Sequence, residues 1–229
     1  MFKVKKKIDC IIFCAIDKTN NYNNLNLKFL KQVCEFSKSE NVKKLIFIST
    51  MAVYGSPRIN VVHENYKGHK VSMYGKIKLK QEKILFDFSK KNCDCQITIL
   101  RLPGVVGKKK TGIFLSKVLA KLKKNEELIY QNPKAKFNNL IYEKDLAKII
   151  YKVSKNKKKY NFEIFNLGSS KPMLLRKIIH KMVKKTKFNN NIIEKKPKGK
   201  SFIININKFE KQYFKLNKTS TSLNKYLKH

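Results

Sequence analysis

The sequence predicts an α/β protein built on a parallel, doubly wound sheet, and two observations carry that expectation. Three apolar runs of strand length, residues 8–16 (IDCIIFCAI), 43–50 (KKLIFIST) and 96–102 (QITILRL), lack the alternation of a half-exposed strand. Strands covered on both faces read this way, and they belong to parallel sheets. Stretches with helical spacing separate the runs, and such alternation implies right-handed crossovers.

Each element follows in order. Residues 8–16 give the first strand, followed by the polar loop DKTNNYNN. Leu27, Leu30, Val33 and Cys34 recur at helical spacing, so 25–36 is expected as a helix. The second strand, 43–50, ends in Ser49 and Thr50. It opens into a long loop bearing Gly and Pro, 51–70 (MAVYGSPRINVVHENYKGHK). Loops that follow parallel strands are where sites are built. A helix is expected over 72–90, then the third strand, closed by Pro103 and Gly104. Beyond Gly107 the pattern loosens. It gives a helix at 113–122, short strands at 128–131 and 137–142, and a helix at 144–155. A strand at 162–168, a helix at 172–186, a short strand at 202–207 (FIININ) and a terminal helix complete it. These expectations divide the chain into a Rossmann-like portion at 1–110 and a small lobe with a basic tail at 111–229.

Composition narrows the function classes. The chain has 229 residues, 42% of them hydrophobic, enough for one sizeable core or a domain with a small lobe. With 53 basic and 15 acidic residues, the formal net charge is +38, which invites a nucleic-acid reading. Against it, only Arg58, Arg101 and Arg176 are arginine, the residue whose planar fork reads phosphate and guanine. The lysines are also spread along the whole chain, so they read as a solvated basic surface and no specific nucleic-acid partner is expected. Cys10, Cys14, Cys34, Cys93 and Cys95 are odd in number and irregularly spaced, which argues against a disulfide framework. Cys93 and Cys95 have no second pair at ligand spacing, so no metal site is expected. The apolar run near the start is short, holds Asp9, and lacks a small-residue cleavage site. No segment reaches the length of a membrane span, so a cytoplasmic protein without a membrane partner is expected.

One short stretch, SMYGKIK at 72–78, carries chemistry. Tyr74 and Lys78 stand at i and i+4 on an expected helix, hence on one face. A lysine-rich chain produces this spacing often by chance, so its setting decides its meaning. The helix follows a strand ending in Ser49-Thr50 and the loop STMAVYG. A phenol titrates near about 10, and a cation one turn away favours the phenolate.

In this setting the chain resembles the extended short-chain dehydrogenase/reductases, the NAD-dependent epimerase/dehydratase family acting on nucleotide sugars. Seven segments carry the resemblance in the family's order, over roughly residues 8 to 187. IDCIIFCAI resembles its fourth strand and NLNLKFLKQVCEF the next helix. KKLIFISTMAVYG resembles the fifth strand with its serine/threonine loop, SMYGKIKLKQEKIL the catalytic helix, and ITILRLPGVVG the sixth strand. FNNLIYEKDLAKII and IFNLGSSKPMLLRKII resemble two segments of the substrate lobe. The resemblance implies that Tyr74 is the catalytic acid/base, that Lys78 lowers its pKa and holds the nicotinamide ribose, and that the Thr50 hydroxyl bridges substrate and Tyr74. It implies an NAD or NADP cofactor bordered by Ala15, Asn26, Tyr74, Lys78, Pro103 and Val105. It further implies a nucleotide-sugar substrate met by Thr50, Met51 and Asn138. On the residues alone, Thr50 equally caps a strand and Asn26 a helix.

Two departures from the family stand out. Asn138 occupies a position where the family often has an arginine for the substrate diphosphate, and Lys134 or Lys136 would supply charge nearby without a bidentate fork. The family's opening strand–GxxGxxG–helix is absent, and the first glycine here is Gly55. The resemblance therefore implies a partial doubly wound sheet lacking its first βα units, with the strand at 8–16 on an exposed edge. Such an edge calls for a complementing N-terminal fragment or a second copy across it. The alternatives to an enzyme are a non-catalytic family remnant or binding protein and, less consistent with the arginine count, a basic nucleic-acid-binding protein.

Overall fold

The computed structural model describes residues 7–17, 24–92, 94–108, 112–197 and 200–228. Cys93 and most of the polar loop after the first strand lie outside the described residues. In chain order the elements are β1 (Cys10–Phe13), α1 (Leu25–Ser39), β2 (Lys44–Thr50), a 3-10 turn (Met51–Tyr54), β3 (Val61–Val62), α2 (Met73–Lys91), β4 (Gln96–Leu102) and β5 (Gly104–Val106). There follow α3 (Phe114–Lys123), β6 (Leu128–Gln131), β7 (Lys136–Phe137), β8 (Leu140–Tyr142), α4 (Glu143–Ser154) and β9 (Phe162–Asn166). The rest are β10 (Met173–Leu174), α5 (Leu175–Val183), β11 (Ile192–Lys195), β12 (Ile203–Ile204), α6 (Asn207–Gln212) and α7 (Thr219–Tyr226).

Two compact units interleave along the chain. The first takes described residues within 1–55, 67–102 and 151–165, the second those within 56–66, 103–150 and 166–229. The sequence-based division at residue 110 gave two continuous halves. The observed units are discontinuous because β9 leaves the second half to join the sheet of the first, while β3, within residues 56–66, pairs with β12 of the second unit.

The first unit holds a four-stranded sheet in the order β1-β2-β4-β9, the open α/β arrangement expected from the apolar runs. β1 and β2 are parallel, with Phe13 opposite Phe47, and β2 and β4 are parallel, with Ser49 opposite Arg101 and Thr50 opposite Leu102. Leu45, Phe47, Ile97 and Ile99 pack with Leu30 and Cys34 of α1 and Leu85 and Phe88 of α2. Burying each such large apolar side chain contributes roughly 1.5–3 kcal/mol. Lys44, at the start of β2, is buried, and its ammonium donates to the carbonyls of Val153, Ser154 and Asn156 at 3.3, 3.0 and 2.7 Å. It thereby donates to carbonyls at and just beyond the C-terminus of α4, where a cation is favoured.

β1 differs from its expectation as a strand covered on both faces. It spans four residues, only Phe13 is buried, and Ile12 is 46% exposed. Among the described residues it lies at the end of the sheet with β2 as its one strand neighbour.

The second unit is built from paired short strands and helices. β5 runs parallel to β8, β6 to β11 and β3 to β12, while β7 and β10 are antiparallel. Its core gathers Leu115, Leu122, Leu140, Ile178, Met182 and Leu223, contributed mainly by amphipathic helices. The expected strand at 137–142 is two strands, β7 and β8, interrupted at Asn138 and Asn139. The expected helix at 172–186 shortens to α5 because Met173 and Leu174 pair with Phe137 and Lys136. No described helix is long and apolar enough to cross a membrane.

Candidate active site

Ala15, Asn26, Thr50, Met51, Tyr74 and Lys78 all fall in the first unit. Thr50 ends β2 in an extended conformation and caps the 3-10 turn, its Oγ1 accepting the Ala52 N–H at 3.2 Å. Met51 is buried within that turn. α2 begins at Ser72, whose Oγ accepts the Gly75 N–H at 3.2 Å, a standard N-cap. Tyr74 lies half-buried in the first helical turn and Lys78 one turn further on.

Gly75 brings the turn and the helix together. A Cβ at this position would meet the Ala52 carbonyl oxygen at 2.3 Å. The backbone two residues past Thr50 thus packs directly on the residue after Tyr74, an approach that any larger side chain would prevent.

Lys78 is 2% exposed, and its ammonium donates to the Ile48 carbonyl at 2.9 Å and lies 4.6 Å from the centroid of the Phe47 ring. Burial pulls its pKa down to about 8, while Glu82 and then Cys14 oppose the fall. One N–H of the ammonium is used on Ile48, leaving donors for a diol such as a ribose. The residues present therefore fit the nicotinamide-ribose end of a dinucleotide. A glycine-rich turn for its pyrophosphate has no counterpart in the sequence before Gly55.

Asn26 is buried and clamps the Asp17 backbone. Its Oδ1 accepts the Asp17 N–H and its Nδ2 donates to the Asp17 carbonyl, both at 2.8 Å, while its own carbonyl accepts Gln81 Nε2 at 3.3 Å. It fixes the segment after β1 to α1 and α2. Ala15, within that segment, is exposed.

Pro103, Val105 and Asn138 belong to the second unit. Pro103 is buried and Val105 lies half-buried in β5. Both polar atoms of the buried Asn138 side chain are engaged by Ile204, Nδ2 donating to its carbonyl at 2.9 Å and Oδ1 accepting its N–H at 3.0 Å. Nearby in sequence, Lys134 lines a cavity of about 680 Å³ in the second unit with Asn132, Lys195, Lys196 and Lys200. Glu194, also on that cavity, is paired with Arg176 and Tyr130, which in that order hold its carboxyl down to about 2.

Sequence reasoning missed one buried set in the first unit. Glu82 takes Arg101 Nε at 3.1 Å, Arg101 Nη2 at 2.7 Å and Ser49 Oγ at 2.6 Å, and Arg101 Nη1 donates to the Tyr54 hydroxyl at 2.8 Å. The available signal was a lone arginine inside an apolar strand, which demands a buried partner.

Comparison with known proteins agrees with this layout. The model of the NAD dependent epimerase/dehydratase family matches residues 3–168. The UDP-arabinose 4-epimerase 1 of Arabidopsis thaliana is 40% identical over 86 residues, covering 38% of this chain and 20% of that protein. The UDP-glucose 4-epimerase of Yersinia enterocolitica is 33% identical over 148 residues, covering 59% of this chain and 38% of that one. The chain thus spans well under half the length of these curated relatives. Among solved structures, MoeE5 in complex with UDP-glucuronic acid and NAD superimposes with a TM-score of 0.80 at 13% identity, covering 97% of this chain and 79% of that one. The Thermotoga maritima UDP-glucose 4-epimerase with UDP-glucose gives 0.79 at 18% identity, covering 96% and 76%. At these identities the two structures attest the fold. The family match takes in the whole strand–turn–helix segment from β2 to α2, and the chain belongs to the NAD dependent epimerase/dehydratase family.

Proposed function

We propose that this chain carries the proton-transfer and substrate-recognition portion of an NAD(P)-dependent epimerase/dehydratase-type oxidoreductase acting on a nucleotide sugar. The observation that carries the reading is the buried Lys78 ammonium, held on Ile48 one helical turn from Tyr74. A cation so placed favours the phenolate of Tyr74, which then takes a proton from a sugar hydroxyl and later returns it. Thr50 stands at the end of the strand packed against this turn and orients that hydroxyl. Lys78 also holds the ribose of the dinucleotide, which when bound supplies hydride transfer. In the second unit, Lys134, Lys195, Lys196 and Lys200 around the cavity suit the diphosphate of a nucleotide sugar. The relatives, UDP-sugar 4-epimerases by name, support a uridine diphosphate sugar as the substrate class.

Complete dinucleotide binding requires a strand–glycine-rich turn–helix segment. Such a segment would pair along β1, which among the described residues has β2 as its one strand neighbour and whose exposed Ile12 suits an added strand. Conversion of a UDP-hexose by the chain joined to such a segment is the test. Tyr74→Phe is expected to lower turnover roughly 10²–10⁴-fold. Unchanged turnover in that variant rejects the proton-transfer role, and no turnover in either protein favours a non-catalytic binding role.

A further inference from the structure

Tyr74, Lys78 and Glu82 succeed one another at four-residue intervals on α2 and so share one helix face. Glu82 is 5% exposed and Arg101 is equally buried. Buried ion pairs are poor sources of stability, because desolvation offsets their attraction, and apolar residues of similar volume serve packing as well. The geometry gives this pair a further role. Ile48, Ser49 and Thr50 are consecutive on β2. The Ile48 carbonyl takes the Lys78 ammonium, the Ser49 hydroxyl donates to Glu82, and Thr50 caps the turn. Through Arg101, the same carboxylate is linked to Tyr54 at the end of that turn.

We propose that Glu82, fixed by Arg101 and Ser49, is a positioning residue that keeps Lys78 in its ammonium form one turn from Tyr74 and locks residues 48–54 in register with α2. The inference rests on the reading of Tyr74 and Lys78 as a proton-transfer pair. Burial works against the ammonium, and Glu82 is the largest group opposing it, followed by Cys14 from the segment after β1. β2 presents the Phe47 ring and the Ile48 carbonyl to Lys78, while Arg101 of β4 and Tyr54 reach the site through the Glu82 carboxylate. Without the Glu82 charge, Lys78 would lose its proton closer to neutrality and would no longer favour the Tyr74 phenolate.

Competitive acetylation of the full chain with peptide mapping, from about pH 6 to about pH 11, reads the protonation of each lysine separately. In Glu82→Gln the Lys78 midpoint is expected to fall by about one pH unit or more, as the loss of a nearby opposite charge requires. Glu82→Asp, which retains the charge, should restore much of it. Glu82→Gln leaves the buried Arg101 charge without its carboxylate, so the double variant Glu82→Gln/Arg101→Met, which removes both charges at similar volume, is read beside Arg101→Met if the single variant does not fold. The exposed Lys83 serves as the internal control. An unmoved Lys78 midpoint in folded Glu82→Gln, or one in the folded double variant no lower than in Arg101→Met alone, overturns the inference. The labelling needs no turnover, so a shifted midpoint in a chain without epimerase activity would retain the inference and reject the proposed function. An unmoved midpoint in an active one would do the reverse.

Discussion

Lys78 shows how one residue can be placed against its own solvation. Burial pulls its pKa in the fold down to about 8, below the ordinary lysine value of 10.5. The unfolded chain therefore binds this proton more tightly, and the folded state gains stability as pH rises through that interval. Below about pH 8 the full penalty applies. Lys78→Met removes the titration, so the variant's stability relative to the native chain should be greater at pH 7 than at pH 10.5, by on the order of 3 kcal/mol. Urea unfolding at the two pH values measures this, and a difference independent of pH would show that Lys78 does not titrate as described. The Tyr74–Lys78 pair was legible in sequence, because helix geometry puts i and i+4 on one face. Glu82 also stood at that spacing. Its partner Arg101 was not legible, since the register of β2 against β4 and the packing of α2 decide which carboxylate a strand arginine meets.

Among the elements, α2 is the one whose placement the site depends on. Ser72 starts it, and Gly75 lets its first turn lie against Ala52. Gly75→Ala puts a methyl group within 2.3 Å of a carbonyl oxygen, and backbone cannot yield as a flexible side chain can. We expect the substitution to destabilise the chain by about 2 kcal/mol despite the better helix propensity of alanine, measured by urea unfolding. A neutral or stabilising result would mean that the turn and helix are less tightly joined. The long helices and the buried strands β2 and β4 were legible because their periodicity spans whole segments. Two-residue strands such as β3, β10 and β12 carry no periodicity, and the break between β7 and β8 is tied to Asn138 bonding the distant Ile204 backbone.

Over the whole molecule, the dominant physical fact is a formal charge of +38. Folding brings like charges closer together, and salt screens them over a Debye length of about 10 Å at 0.1 M. The melting temperature should therefore rise between about 10 mM and about 150 mM NaCl, with calorimetry as the measurement. A flat or falling trend would show that the few ion pairs, such as Lys225 with Asp145, outweigh the general repulsion. By itself, the sequence determined the α/β class, the two largely buried strands β2 and β4, and the placing of Tyr74 one turn from Lys78. Burial patterns and helical spacing are local properties that a short window of residues contains. The tertiary structure alone decided the one-sided β1, the discontinuous units, the sequestering of Glu82 by Arg101 and Ser49, and the use of Asn138 on Ile204. Those last contacts join residues 19, 33 and 66 positions apart, and only the folded backbone determines which distant groups meet.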